Sequence, residues 1–307
     1  MRDRKNDIFT YPNLIVALIL HLETATPTCS VALSEGGVLL SLKEKTAQNI
    51  HASVITLFIE TVMQEAGRQL AELDAVSVSK GPGSYTGLRI GVSAAKGLCY
   101  ALDKPLLAVN TLEAMASGLL NEQKAPANSL LCPMLDARRM EVFMAIYRAT
   151  RGGTGRSFVR ESGGSAESGG STESGRETDR SRGTESGRVA DSNPLTGKAN
   201  TGYNTHIDLQ ETEGPRAQIM EEDSLDPWLE GNGKKLLLFG TGAEKCRELY
   251  KNRQEIEIIP DFRQSAANLL LPAERKFGKQ QFEDVAYFEP FYLKDFISTS
   301  SLREAKK

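Results

Sequence analysis

The chain has 307 residues, with 37 Lys and Arg against 40 Asp and Glu, so its formal net charge is only −3. This balance excludes a general electrostatic attraction to nucleic acid or to a membrane surface, and any RNA contact has to be local. The four cysteines form no CxxC pair, which argues against a zinc ribbon, a thioredoxin-type site and a secreted disulfide framework, and fits a reducing cytoplasm.

The start of the chain is predicted to be a disordered lead, residues 1 to 14, followed by a buried strand. The apolar stretch from Leu14 to Leu20 follows basic residues, as in a signal peptide, but it meets His21 and Glu23 and has no small-residue cleavage site. The stretch is also too short to span a bilayer, so we expect no membrane segment here.

The first half, residues 15 to 120, is predicted to form one α/β lobe in which a strand meander precedes alternating helices and strands. Turn sequences separate the first three strands, and helical spacing of apolar residues begins at Ile50. The predicted elements are strands Ile15 to Glu23, Thr28 to Ser34 and Val38 to Lys45, a helix from Ile50 to Gly67, a strand from Ala75 to Ser79, a helix ending near Leu102, a strand from Leu106 to Val109 and a helix from Thr111 to Leu120.

The second half, residues 121 to 307, is predicted to repeat this order. It opens with the hairpin CPMLDARRMEVFMAIY and later supplies the strand LLLFG, a helix from Ala243 to Tyr250, a strand from Ile256 to Ile259 and a helix from about Ser265. A meander followed by alternating strands and helices, twice over, predicts two related lobes. This is the order of the actin, hexokinase and Hsp70 fold class, which is ribonuclease H-like.

Residues 151 to 233 are interpreted as a low-complexity insertion in the second lobe. ESG recurs in a drifting repeat of Gly, Ser, Glu and Arg, which cannot bury enough apolar surface to offset its chain entropy. A long loop is tolerated where it leaves the surface, so we expect it at the end of a hairpin. A disordered loop is the main interpretation and a binding tail the alternative. Deletion of residues 155 to 230 is expected to leave the fold intact.

Two turns occupy the positions at which active members of this fold class bind phosphate. Those members carry Asp-x-Gly-Thr, because a carboxylate organises the metal and a glycine lets the backbone reach the phosphate. Here the first turn is Glu23, Thr24, Ala25 and Thr26, and the second is Asp136, Ala137 and Arg138. The alanines predict a compromised nucleotide pocket and no cofactor. Arg138 is either a phosphate ligand or part of a turn ion pair.

The loop KGPGSYTGLRIG, between a strand and a helix, can be interpreted as an anion-binding site or as a structural or interface turn. Free amides at the helix start, with the charges of Lys80 and Arg89, favour an anion site. The missing Gly-Lys-Ser/Thr ending of a Walker loop favours a structural or interface turn, with Ser84 or Thr86 as the helix cap. The candidate residues of this loop are Lys80, Gly81, Pro82, Gly83, Ser84, Tyr85, Thr86, Gly87 and Arg89.

No metal or catalytic site is predicted. None of the three histidines, His21, His51 and His206, is within four residues of another, so the chain contains neither an HxxxH nor an HExxH helix pair. No convincing set of nucleophile, base and orienting residue is present either. His51, at the start of a helix, is interpreted as a cap or surface residue rather than as a base.

The two long helices of the first lobe carry more apolar and small residues than one core-facing stripe requires. The first has eight apolar residues between Val54 and Ala66, and the second has small residues that let another helix approach closely. Burial by the chain's own lobe is one interpretation, and an interface with a related lobe is the favoured one. The candidate interface residues are Val54, Phe58, Val62, Gly91, Ala94, Ala95 and Leu98.

The runs HLETATPTCSVAL, SKGPGSYTGLRIGVSAAKGLCYAL, MLDARRMEVF and EPFYLK together resemble the TsaB family, also called YeaZ. GPGSYTGLRIG is the specific part, whereas FYLK carries Lys294 where the family more often has arginine. The resemblance covers essentially the whole chain outside the lead and the insertion.

The resemblance implies a cytoplasmic, non-catalytic subunit in threonylcarbamoyl transfer to adenosine 37 of transfer RNA. The implied partners are a TsaD-like catalytic subunit, which meets the two helices, and a TsaE-like ATPase. The chain would contact transfer RNA only as part of the complex, and the isolated chain would form a homodimer. An ATP-dependent small-molecule kinase of the same fold and a freestanding homodimer of structural or regulatory use are the alternatives.

Overall fold

The computed structural model describes residues 16–122, 124–126, 128–151, 207–229 and 235–294. The predicted lead, the ESG repeat and His206 lie outside these residues. Within the described ranges, none of the helices has the length and apolar character needed to cross a membrane.

The first lobe is built on a five-stranded sheet in the order β3-β2-β1-β4-β5. β1, β2 and β3 form an antiparallel meander, whereas β4 and β5 run parallel to β1. Helices α1 and α2 cover one face of the sheet, and α3 and the later helix α6, Leu270–Gly278, cover the other, which is why the central strands are almost entirely buried. The elements are β1 Leu18–Glu23, β2 Thr28–Glu35, β3 Val38–Thr46, α1 His51–Glu65, β4 Ala75–Gly81, α2 Tyr85–Leu102, β5 Leu106–Asn110 and α3 Thr111–Asn121.

The second lobe repeats this topology, with the sheet order β10-β9-β6-β7-β8. Its first three strands are again an antiparallel meander, and its last two are again parallel to the first. The predicted pair of related α/β lobes is therefore confirmed. The remaining elements are β6 Leu130–Asp136, β7 Glu141–Arg151, β8 Ile207–Ile219, α4 Asp226–Leu229, β9 Leu236–Phe239, α5 Arg247–Tyr250, β10 Ile256–Ile259 and α6 Leu270–Gly278.

The chain after β10 returns to the first lobe, so that lobe does not end near residue 120 as the sequence suggested. Leu269 and Ala273, at and near the start of α6, are fully buried against Ile19 of β1 and Leu107 of β5. The apolar face of α6 thus completes the first sheet's core rather than the second's. One compact unit contains both lobes.

The prediction of an insertion that extends to residue 233 is wrong at its C-terminal end. Ile207–Ile219 forms β8, which pairs with β7 along its length and places Ile207 opposite Arg151. β8 is an edge strand whose described side chains are half-buried or exposed, and this explains why its composition resembles that of a loop. The additional segment leaves and re-enters at the paired ends of a hairpin, as predicted.

This register makes a sharper deletion experiment possible. Replacing residues 152–206 by Asn-Gly, a two-residue hairpin turn, is expected to shift the Tm by only a few degrees, because Arg151 and Ile207 are already paired. Deleting residues 155 to 230 also removes β8 and is expected to lower the Tm by about 10 °C or more. Circular dichroism melts of both proteins provide the measurement. A large loss of stability in the variant with Asn-Gly in place of residues 152–206 would contradict the prediction.

Candidate functional site

The two degenerate turns and the glycine-rich loop meet at an open cleft of about 700 Å³. Residues 25–27 and 82–86 line it from the first lobe, residues 135–138 and Thr241 from the second, and residues 291–294 from the C-terminal segment. The predicted site residues that line the cleft are Ala25, Thr26, Pro82, Gly83, Ser84, Tyr85, Thr86, Asp136, Ala137 and Arg138. Those outside its lining are Glu23, Lys80, Gly81, Gly87 and Arg89.

Glu23, at the end of β1, directs its carboxylate into the protein interior instead of the cleft. Its side chain is completely buried and accepts hydrogen bonds from the Ala25 amide at 2.6 Å, from Gln264 Nε2 at 2.6 Å and from the Ser79 hydroxyl. Burial raises the pKa of Glu23, and these hydrogen bonds act in the opposite direction. The carboxylate therefore fastens the first turn to β4 and to the chain before α6. No sequence pattern had indicated Gln264, which is 241 positions away.

The glycines of the signature loop make room for the first turn. Added Cβ atoms at Gly83, Gly87 and Gly91 would clash with backbone or side-chain atoms of Thr24 and Ala25. The Ser84 amide also donates to the Ala25 carbonyl at 2.7 Å. Because the turn packs directly on the loop and on one face of α2, these contacts favour the structural interpretation of the glycine-rich sequence.

The start of α2 is capped from within the chain. The Ser84 hydroxyl accepts a hydrogen bond from the Gly87 amide at 3.2 Å, so of the two predicted candidates, Ser84 and Thr86, Ser84 is the cap. The Arg89 guanidinium donates to the Tyr85 hydroxyl at 2.9 Å and lies 5.5 Å from the centre of the Tyr85 ring. Neither Lys80 nor Arg89 adds its charge to the lining of the cleft.

The second turn is held by Lys245, which the sequence had not indicated. Lys245 Nζ lies 2.6 Å from Asp136 Oδ1 and 2.8 Å from the Arg139 carbonyl. Burial alone would raise the pKa of Asp136, but the hydrogen bonds from Lys245 and the Arg138 amide outweigh it and lower that pKa. Lys245 is thus the ion-pair partner of Asp136, while the exposed Arg138 lines the cleft.

The first turn lacks the features with which this fold class holds a nucleotide phosphate. The Ala25 amide, a donor that could otherwise face a phosphate, is hydrogen-bonded to the Glu23 carboxylate, and a Cβ stands where the fold class has a bare glycine. The carboxylate that would organise a metal is occupied inside the protein. Among the residues that the structure describes, no group of three or more His, Cys, Asp or Glu side chains is arranged to hold a metal ion.

The isolated protein is therefore expected to show no saturable binding of magnesium-ATP in the micromolar range and no ATP turnover. Isothermal titration calorimetry and a phosphate-release assay provide the measurements. Micromolar binding accompanied by turnover would contradict the prediction and favour the kinase interpretation.

The predicted helical interface is partly buried by the chain itself. Val62, Gly91 and Ala95 are buried, so their assignment to an exposed interface is corrected. Helical spacing identified surplus apolar residues, but it did not reveal which stripe faces the sheet. What remains on the surface is the helix face, defined by the half-buried Val54, Phe58, Ala94 and Leu98 with the exposed Leu57 and Gly97.

The sequence is similar to proteins of threonylcarbamoyladenosine biosynthesis over part of its length. A family model for TsaD, tRNA N6-adenosine threonylcarbamoyltransferase, matches residues 30–160. The tRNA threonylcarbamoyladenosine biosynthesis protein TsaB of Escherichia coli is 33% identical over 135 residues, which cover 44% of this chain and 57% of that protein. The TsaB protein of Bacillus subtilis is 31% identical over 134 residues, covering 44% and 56%. The chain thus spans little more than half the length of these curated relatives.

A solved structure supports the fold over a longer region. YeaZ from Pseudomonas aeruginosa superposes with a TM-score of 0.62 at 21% identity, and the match covers 90% of this chain and all of that chain. This likeness supports the fold rather than an activity. It includes both lobes, whereas the sequence matches to the TsaB proteins cover less than half of the chain.

Proposed function

Because the chain belongs to the TsaB/YeaZ family in the actin-like fold, we propose that it is a non-catalytic subunit in the formation of threonylcarbamoyladenosine in transfer RNA. The observation that carries this proposal is the similarity to curated TsaB proteins, at 31–33% identity over about 135 residues. The altered first turn supports a role without nucleotide chemistry, since Ala25 adds a Cβ where the fold class has a glycine and its amide donates to the buried Glu23 carboxylate.

The proposed partners are a TsaD-like subunit, which transfers the threonylcarbamoyl group to adenosine 37, and a TsaE-like ATPase. The helix face is the proposed contact with the TsaD-like subunit, because it exposes apolar and small residues on two neighbouring helices. In the absence of that partner the same face serves self-association. Transfer RNA is met only through the complex, which operates in the cytoplasm.

Reconstitution tests the proposal. The TsaD-like and TsaE-like proteins of the same cell are combined with unmodified transfer RNA and threonylcarbamoyl-adenylate, with and without this chain, and the modified nucleoside is measured by mass spectrometry. We expect modification to require this chain and the chain to co-elute with the TsaD-like subunit. Equal modification without the chain would overturn the proposal, and phosphorylation of a small molecule by the chain alone would favour the kinase.

A further inference from the structure

The C-terminal segment from residue 282 to 294, here called the strap, is anchored to the first lobe. The Glu283 amide donates to the Leu106 carbonyl at 2.9 Å, and the Phe291 amide donates to the Lys80 carbonyl at 2.6 Å. Lys96 Nζ on α2 lies 3.1 Å from the Ala286 carbonyl and 2.9 Å from that of Phe288. Val285 and Phe288 also pack against the first lobe's core. Backbone hydrogen bonds and apolar contacts therefore hold most of the strap.

The tip of the strap crosses the cleft. The Tyr292 ring packs against Tyr85 of α2, with ring centroids 4.8 Å apart. Two residues later, Lys294 pairs with Glu141, which begins β7 on the opposite wall, and residues 291–294 line the cleft between these contacts. The tip thus joins the two lobes at the mouth of the cleft.

The two ends of this connection differ in strength. The anchor on the first lobe combines several hydrogen bonds with the half-buried side chains of Val285 and Phe288, whereas the contact with β7 is a single ion pair whose side chains are 43% and 22% exposed. Partly exposed ion pairs contribute little and weaken with salt, so this contact is the weaker end of the connection. The first lobe would keep the strap when the cleft widens.

We propose that the strap is a latch between the lobes, with the Lys294–Glu141 pair as its releasable contact. With the pair formed, the tip holds the glycine-rich loop at a fixed distance from the β6–β7 turn. With the pair broken, the lobes can separate at the cleft while the rest of the strap stays docked. The latch is a property of the chain alone and is independent of the proposed function.

Spin labels on opposite lobes of the full chain test the latch. Lys45→Cys and Lys251→Cys provide exposed labelling positions, whereas the native cysteines are all buried and burial raises the pKa of each thiol. Pulsed electron–electron double resonance is expected to give one narrow distribution of distances between the two labels in the parent protein. In Lys294→Ala the fraction of longer distances is expected to rise about two- to fivefold. Lys279→Ala, which removes another exposed lysine, is the matched control and is expected to leave the distribution unchanged.

A charge exchange separates the ion pair from incidental effects of substitution. The double variant Lys294→Glu with Glu141→Lys is expected to restore the parent distribution, whereas either single reversal widens it. Tyr292→Ala provides an independent weakening of the tip and is expected to increase the longer distances as well. Parent-like distributions in both Lys294→Ala and Tyr292→Ala, or failure of the exchange to restore the parent distance, would overturn the latch.

Discussion

Gly87→Ala and Gly91→Ala are each expected to lower the free energy of unfolding by about 1–3 kcal/mol, whereas Gly97→Ala on the same helix raises it by about 0.5–1 kcal/mol. The opposite signs follow from what each added methyl group would meet. At Gly87 it would run into the Thr24 carbonyl and at Gly91 into the Thr24 hydroxyl, but within 4 Å of the position at Gly97 there is nothing.

The clashes cannot be relieved cheaply because the first turn is fixed on its other side. Glu23 is bonded to Gln264 and Ser79, so the turn can move away from α2 only by breaking buried hydrogen bonds. At the exposed Gly97 the substitution only replaces a poor helix former with a better one.

Urea denaturation monitored by circular dichroism measures all three glycine variants against the parent protein. Equal changes in unfolding free energy at Gly87, Gly91 and Gly97 would contradict the packing explanation, because helix propensity acts alike at all three. If propensity dominated, each alanine would stabilise the protein.

The succession of strands and helices was predictable because it depends on local patterns. Apolar spacing, turn residues and the glycine-rich loop identified the meander of the first lobe, the hairpin of the second and the strands and helices that follow them to within a few residues. The presence of two related lobes followed from the repeated order of strands and helices in the two halves of the sequence. β8 was missed because an edge strand with polar side chains lacks the apolar signal of a buried one.

The candidate site was only partly predictable because its key contacts are distant in sequence. The two turns that the sequence singled out lie on opposite walls of one cleft, yet their partners Gln264 and Lys245 are 241 and 109 positions away in the sequence. No local pattern connects such residues. For a related reason, the sequence did not show which face of α1 and α2 packs on the sheet. Valine and alanine also occur at exposed positions, so the residue types of Val62 and Ala95 do not by themselves indicate that these side chains are buried against the sheet.

Leu57→Glu is expected to weaken association with the proposed TsaD-like partner by at least tenfold while leaving the chain folded. Leu57 belongs to the helix face and is 56% exposed, so a carboxylate there remains hydrated in the isolated chain. In the complex the same carboxylate would be buried among apolar side chains without a partner, and such burial costs more than the 1.4 kcal/mol that corresponds to a tenfold change in affinity. Gly97→Trp acts by bulk on the neighbouring helix and is expected to give a similar loss.

Leu70→Glu is the matched control, because Leu70 is 37% exposed but lies outside the helix face. Ala95→Trp is unsuitable, since Ala95 is fully buried and the larger ring would disrupt the core. Val54→Glu is an intermediate case because Val54 is half-buried. Size-exclusion chromatography and calorimetric titration measure association, circular dichroism checks folding, and the reconstituted reaction measures transfer-RNA modification. If Leu57→Glu and Gly97→Trp both remained folded, bound the partner as Leu70→Glu does and supported full modification, the partner would have to bind a different surface.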